Sequence, residues 1–190
     1  ALASRIVKKF KADTFRIMEE EPERLAEIKG ISEKMAMSIG EQVEEKRDMR
    51  QAMMFLQNYG ISINLAVKIY QEYGPAIYTI LQNNPYKLAD DIPGVGFKMA
   101  DEIAGRIGIH TNSDYRIRSG LLYVLLQAAA EGHTCLPREM LLRRASELLH
   151  VAEEDIEVQM MNLCMDRKLI LKEKNDQTMV FYSQYYYMEL

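Results

Sequence analysis

The chain has 190 residues, of which 48% are hydrophobic and 27% are charged, and its formal net charge is −4. This balance is typical of a globular protein with one large domain or a few small ones. The acidic balance counts against a protein that coats nucleic acid over a broad basic face, because such proteins are usually basic, so any DNA contact is expected to be local. The sequence shows neither an apolar run of membrane-spanning length nor a signal sequence, which predicts a cytoplasmic protein without a membrane partner.

The first part of the chain is an internal repeat, which indicates a duplicated helical module. A first set of positions recurs after a constant shift of 63 residues: Ala3, Ile6, Phe10, Phe15, Ile17, Pro22, Leu25 and Ala26 become Ala66, Ile69, Tyr73, Tyr78, Ile80, Pro85, Leu88 and Ala89. A second set recurs after a shift of 64: Ile28, Gly30, Ile31, Lys34, Met35, Ala36 and Ile39 become Ile92, Gly94, Val95, Lys98, Met99, Ala100 and Ile103.

The second copy is preceded by a helical pattern at Arg50–Asn58 and a turn at residues 59–62. The first copy lacks both, because Ala1 falls just inside the equivalent of the helix after that turn. We therefore expect an N-terminally truncated module at residues 1–48, a complete one at 49–110, and a parent protein that continues upstream.

The last hairpin, residues 92–96, has the composition of a phosphate site. Glycine permits the positive φ or close backbone approach that such a tight turn needs. The next helix then begins with free N–H groups at the positive end of its dipole, where an anion can bind, and a lysine adds charge. The predicted ligands here are Gly94, Val95, Gly96 and Lys98.

Two further hairpins have related sequences. The first, residues 28–32, predicts a second phosphate site at Gly30, Ile31, Ser32 and Lys34. The middle hairpin, residues 59–62, offers Gly60 and Ser62 but has Asn64 in place of the lysine, which favours a structural role. Both serines are expected to cap the helices that follow them.

A plain helical hairpin is the alternative for the last hairpin. In it, Ile92, Val95, Met99, Ala100 and Ile103 would face a core and the turn would bind nothing.

Residues 111–184 show the element order of a winged-helix-like α+β domain. We expect helices at Arg116–Ala130, Arg138–Leu149 and Glu153–Arg167, a strand stub at Gly132–Pro137, and a small β-hairpin of Leu169–Leu171 and Met179–Tyr182. The third helix carries Glu153, Glu154, Asp155, Glu157 and Asp166, which would repel phosphates. This domain is therefore expected to be structural or interdomain, and not to read bases.

Catalytic motifs are absent from the sequence: it has no Gly-Lys pair, hence no phosphate loop of the G-x-x-x-x-G-K-[ST] type, and neither G-x-S-x-G nor H-E-x-x-H. Cys135 and Cys164 have no second Cys or His at ligand spacing, which predicts reduced, packed thiols and no metal site. Lys98 and Asp114 are similar to the lysine and aspartate of DNA glycosylases with lyase activity, so a Schiff-base enzyme is one alternative function.

The last hairpin resembles the helix-hairpin-helix motif of DNA-repair and replication proteins in its Ile-Pro-Gly-Val-Gly sequence followed by Lys98. Nearly the whole chain is similar to the N-terminal region of RecD-like DNA helicases, the exodeoxyribonuclease V alpha subunit family. Three segments carry this resemblance: Asn84-Pro85-Tyr86 before Leu88, Gly94-Val95-Gly96-Phe97 with Asp101 and Ala104, and Gly132-His133-Thr134.

The resemblance implies a mainly α fold, with duplicated helix-hairpin-helix modules before the winged-helix-like domain. It implies a non-catalytic fragment of a bacterial, ATP-dependent 5′-to-3′ helicase acting in DNA repair and recombination. The motor, with its ATP and Mg²⁺, would begin after Leu190, with residues 185–190 as the start of the connection. The partners would be this motor and single-stranded or forked DNA, bound without sequence preference through backbone amides. A protein–protein scaffold within the helicase, without its own DNA affinity, is the competing class.

Overall fold

The computed structural model describes residues 1–187, which fold into a mainly α-helical protein with one small antiparallel sheet. The helices are α1 Leu2–Phe10, α2 Thr14–Glu20, α3 Glu33–Asn58, α4 Ile63–Tyr73, α5 Ile77–Asn83, α6 Lys87–Asp91, α7 Phe97–Ile107, α8 Asp114–Ala130, α9 Arg138–Leu149, α10 Glu153–Met165 and α11 Ser183–Tyr186. The strands are β1 Cys135–Pro137, β2 Leu169–Lys174 and β3 Gln177–Tyr182, and short 3-10 helices span Lys11–Asp13, Pro22–Glu27 and Gly74–Ala76. Among residues 1–187, no helix is both long and apolar enough to cross a membrane.

The chain is divided into two compact units, Ala1–Ile77 and Tyr78–Leu190. The predicted module boundaries at residues 48 and 110 remain predictions, as does the connection at 185–190, whose last three residues lie outside the described part. The second copy of the repeat begins in the first unit with α4 and continues in the second unit.

In the first unit, the apolar positions of the repeat form a core between α1, α2 and the start of α3. The core consists of Ile6, Phe10, Ile17, Leu25, Ile28, Ile31 and Ala36. The 3-10 helix Pro22–Glu27 packs closely on α3, where only a glycine fits at Gly40 because an added Cβ would lie 2.5 Å from Pro22 Cβ.

Helix α3 is continuous from Glu33 to Asn58, whereas we expected a separate helical pattern from Arg50. No proline or glycine interrupts the chain after Gly40, so nothing ends the helix before Tyr59.

The second unit joins the last hairpin to the winged-helix-like domain, whose predicted element order is confirmed. Helix α9 has the predicted bounds, α10 ends two residues earlier than expected, and β2 continues three residues further, to Lys174. The strands pair in the order β1-β3-β2. Strands β2 and β3 form the wing, and Lys174 is paired with Gln177 at its tip. The two residues between them, Asn175 (φ +50°) and Asp176 (φ +59°), form a turn of the type I′ kind.

Candidate nucleic-acid interface

The last hairpin is a tight turn held by its own backbone. The Ile92 amide donates to Leu88 O at 3.0 Å, and the Val95 amide donates to Ile92 O at 3.1 Å. The Ile92 and Val95 side chains are buried, whereas Gly94 and Gly96 are exposed. The Val95 amide is already bonded within the hairpin, and the buried Val95 side chain anchors the turn. The two glycines face outward.

The two glycines of this hairpin differ in backbone conformation. Gly94 has a φ of +91°, as expected for a position that requires glycine. Gly96 is the N-cap of α7, with φ −95° and ψ 175°, which other residues adopt as well. An added Cβ at either position would have no atom within 4 Å. The space in front of the first turn of α7 is therefore open to a ligand.

Gly96 provides no side-chain cap, so the first amides of α7 lack a side-chain acceptor. Such amides, together with the helix dipole, favour an anion at this end of the helix. Lys98 lies within the same turn and is exposed. Among the described residues, no carboxylate pairs with its ammonium group.

The first hairpin repeats this backbone geometry, but an added Cβ at Gly30 would lie 3.2 Å from Leu2 Cδ2, and Glu33 stands in the first turn of α3. Gly30 has a φ of +103°, and the Ile31 amide donates to Ile28 O at 3.0 Å. Ser32 takes the place of Gly96, and its Oγ accepts from the Met35 amide at 3.1 Å, which confirms the expected cap. One amide that is uncapped in the last hairpin is thus occupied here.

The first hairpin is also the more basic of the two. Lys34 is exposed, without an acidic partner in residues 1–187. The Arg5 guanidinium donates to Lys29 O at 3.0 Å, which places a second cation against the turn, and Lys29 itself is exposed. The sequence analysis missed Arg5 because it lies 24 residues before Lys29 in the chain.

The middle hairpin is a helix C-cap. The Ile61 amide donates to Leu56 O at 3.2 Å and the Gly60 amide to Gln57 O at 2.9 Å, the paired bonds of a Schellman motif. Ser62 Oγ then caps α4 by accepting from the Leu65 amide at 3.4 Å. Both residues therefore have a local structural role, and no cation stands at Asn64.

Core packing around the last hairpin follows the repeat, with one exception. Ile92, Val95, Ala100 and Ile103 are buried as expected, but 41% of Met99 is exposed. The equivalent Met35 is 40% exposed. In both modules a methionine therefore stands on the surface beside the candidate phosphate-binding lysine.

Aromatic stacking fixes the start of α7. The ring of Phe97 lies between Tyr86 (centroids 5.8 Å apart) and Tyr123 on α8 (5.3 Å). Phe97 and Tyr86 are both buried. These contacts hold the open end of α7 in a defined position on the winged-helix-like domain.

A polar network supports the same helix. Asp101 on α7 accepts from the Tyr86 hydroxyl at 2.5 Å and, through both oxygens, from Arg116 on α8 at 2.8 and 3.1 Å. Burial and the Asp101 carboxylate raise the pKa of Tyr86 above its usual value. Tyr86, Phe97 and Asp101 thus position the hairpin helix, and Arg116 is a partner that the sequence analysis did not identify.

Two features disfavour the Schiff-base alternative. Lys98 is exposed, whereas a reactive lysine of this kind is desolvated. The Asp114 carboxylate accepts from Gln159 Nε2 at 2.9 Å, so it belongs to the contact between α8 and α10.

Cys135 and Cys164 are free and half-buried, and burial raises the pKa of Cys164. Within residues 1–187, no cluster of His, Cys, Asp and Glu could hold a metal ion.

Comparisons with known proteins identify the family of this region. Residues 45–135 match the family described as the ATP-dependent RecD2 DNA helicase HHH domain. The ATP-dependent RecD2 DNA helicase of Deinococcus radiodurans is 30% identical over 142 residues, which cover 72% of this chain and 19% of that protein. The chain therefore spans about one fifth of the length of the relative it matches.

Proposed function

Because this chain carries the helix-hairpin-helix region of the RecD-like DNA helicases, we propose that its hairpins bind the DNA backbone and position DNA for a helicase motor. Binding is independent of sequence and involves no catalysis by these residues. The motor, which is ATP-dependent and moves 5′ to 3′, lies elsewhere in the parent protein. Single-stranded or forked DNA is the substrate that such a motor requires.

The observation that carries this proposal is the recurrence of one arrangement in two hairpins. Gly30 and Gly94 are exposed glycines with positive φ, each followed by a helix N-terminus. Lys34 and Lys98 stand at the same position of the following helix, and both are exposed. Backbone amides and one cation contact phosphates but no base edges, so the interaction is independent of sequence.

The net charge of −4 is compatible with such binding because the contacts are few. With about two phosphates engaged through the two lysines, log K falls with log salt with a slope of about −1.4 to −1.8. Loss of one lysine contact reduces this slope by about 0.7 to 0.9.

The test is fluorescence anisotropy of a labelled DNA fork at two salt concentrations. Lys34→Glu and Lys98→Glu are each expected to weaken binding and reduce the salt slope, and the double variant to abolish binding. Lys46→Glu is the matched control for Lys34, because Lys46 is exposed on the same helix, roughly 18 Å further along its axis. Lys174→Glu, on the exposed tip of the wing, is the control for Lys98.

A scaffold role is the outcome that opposes this proposal. If the unmodified chain does not bind the fork at low salt, the hairpins make protein contacts instead. If all four single variants weaken binding equally, the interaction is a general charge effect and the hairpins are not the site.

The winged-helix-like domain has a supporting role in this proposal. Helix α10 occupies the position of a recognition helix, but its first turn carries Glu153, Glu154 and Asp155. These charges repel phosphates, whereas α8 of the same domain holds α7 through Arg116. The domain therefore orients the last hairpin and does not read bases.

A further inference from the structure

Helix α10 carries an exposed apolar stripe that neither the fold nor the hairpins explain. Val158, Met161 and Met165 are 58%, 47% and 74% exposed. Their spacing of three and four residues places them on one helix face. The opposite face, with Ile156, Met160 and Leu163, is buried. Single exposed apolar residues are common, but a continuous line of them on one helix indicates a contact surface.

The stripe has an acidic end. Glu153, Glu154 and Asp155 are exposed, and none has a cationic partner among the described residues. Glu157, one turn further along the helix, pairs with Arg138, whereas Asp166, at the opposite end of α10, pairs with Arg118 at 3.3 Å. Acidic residues at a helix N-terminus also interact favourably with the helix dipole, so these charges alone do not indicate a partner.

The other end of the stripe is basic, because Arg167 and Lys168 follow α10 and are exposed. An apolar stripe with opposite charges at its two ends is complementary to itself when two copies lie antiparallel. Each acidic end then faces the basic end of the other copy, and the two apolar lines meet in the middle. This is the arrangement of an isologous, two-fold contact.

We propose that the α10 stripe, Val158, Met161 and Met165, is a self-association surface on which a second copy of this chain docks its own α10 in antiparallel orientation. DNA does not fit this surface because the acidic end repels phosphate. Flexible methionine side chains suit a contact between two helices, because they adjust to each other's shape. One helix face is smaller than a standard protein interface, so the dimer is weak and reversible.

Sedimentation equilibrium of the chain without DNA, from about 10 to 500 μM, measures this association; these concentrations bracket dissociation constants expected for a small interface. The wild-type chain is expected to pass from monomer to dimer within this range. Met161→Lys with Met165→Lys is expected to weaken the dimer by at least about tenfold, because the two lysines of each copy would be desolvated in the contact. Met54→Lys, at a 65% exposed methionine on α3, is the matched control and leaves association unchanged.

Charge swaps test the antiparallel orientation. One variant carries Glu153→Lys and Glu154→Lys, and the other carries Arg167→Glu and Lys168→Glu. Each variant alone brings like charges together and is expected to remain monomeric. Their equimolar mixture restores opposite charges at both ends and is expected to dimerise as the wild type does.

Three results would overturn the proposal. These are a wild-type chain that stays monomeric up to 500 μM, stripe variants that dimerise like the wild type, and a mixture of charge-swap variants that stays monomeric although both keep the wild-type urea midpoint. Because no DNA is present, failure here leaves the proposed DNA binding untouched, and failure of the fork experiment leaves the dimer untouched.

Discussion

Arg116 on α8 holds Asp101 on α7 through two parallel hydrogen bonds, from Nε to Oδ1 at 2.8 Å and from Nη2 to Oδ2 at 3.1 Å. The Nη1 group donates to the carbonyl oxygens of Thr111 and Leu149 at 2.9 and 2.8 Å. The Arg116 side chain is 11% exposed, so this ion pair is largely removed from solvent. One guanidinium therefore ties the hairpin helix, the connector and the end of α9 together.

Replacing Arg116 is expected to destabilise the second unit strongly. Arg116→Met leaves the Asp101 carboxylate and two carbonyl groups without their donor, which costs about 2–4 kcal/mol of unfolding free energy after allowance for partial exposure. Arg116→Lys recovers little, because an ammonium group cannot make the bidentate contact. Urea denaturation measures both effects.

The exposed pair of Arg106 and Glu102, 2.6 Å apart on α7, provides the control. Arg106→Ala is expected to cost less than about 0.5 kcal/mol, as is usual for exposed pairs four residues apart in a helix. A similar cost for Arg116→Met and Arg106→Ala would show that the Asp101 contact is not structural.

Local features of this fold could be predicted because they depend on neighbouring residues. The Ser32 and Ser62 caps and the bounds of α9 all follow from short patterns. The length of α3 could not be predicted in the same way. The helix runs through the expected boundary between the two modules, and no helix-breaking residue there shows whether it ends or continues.

Contacts between distant residues were beyond such patterns. Arg116 and Asp101 are 15 residues apart across a polar connector, and Arg5 and Lys29 are 24 residues apart. The glycines and lysines of the candidate site were named from the sequence, and Gly94 has the positive φ that was expected, but the conformation of the second glycine was not foreseen. Gly96 illustrates this limit, since it has an ordinary negative φ.

Gly94 and Gly96 are expected to respond differently to a side chain. Gly94→Ala forces an L-residue to φ +91° and costs about 1–2 kcal/mol of stability. Gly96→Ser should raise stability by a few tenths of a kcal/mol, because the serine can cap the Met99 amide as Ser32 caps Met35. Urea denaturation checks both values.

The same Gly96→Ser variant tests the phosphate site. The new cap occupies an amide that the proposed ligand uses, so fork binding should weaken although the protein becomes no less stable. Ser32→Gly is the reciprocal change, and it should strengthen binding with a small loss of stability. Unchanged fork affinity in both variants would count against a role for these amides.

Gly40 and Gly105 are helical glycines with opposite surroundings. A Cβ at Gly40 would lie 2.5 and 2.8 Å from the Cβ and Cγ atoms of Pro22, whose ring cannot move aside, whereas one at Gly105 meets no atom within 4 Å. Gly40→Ala is therefore expected to lower the unfolding free energy by about 1–3 kcal/mol. Gly105→Ala should raise it by about 0.5–1 kcal/mol through helix propensity, and equal effects would contradict the close packing at Pro22.

Tyr86 is expected to make the free energy of unfolding decrease at alkaline pH. Burial and Asp101 raise the pKa of Tyr86, so the folded state keeps the phenol proton at a pH where the unfolded state loses it. The unfolded state then binds fewer protons, and the free energy of unfolding falls as the pH rises above about 10, by at most about 1.4 kcal/mol per pH unit for this group. Tyr86→Phe loses a hydrogen bond to a charged group, worth about 1.5–3 kcal/mol at neutral pH, but removes this part of the alkaline slope.

Ultraviolet titration of the folded protein tests the cause directly. Burial and Asp101 raise the pKa of Tyr86 above the usual range of a phenol, so Tyr86→Phe should leave the absorbance change between about pH 9 and 11 unaltered. A smaller absorbance change in Tyr86→Phe than in the wild-type chain would mean that the Tyr86 phenol titrates normally and that its bond to Asp101 does not hold the proton.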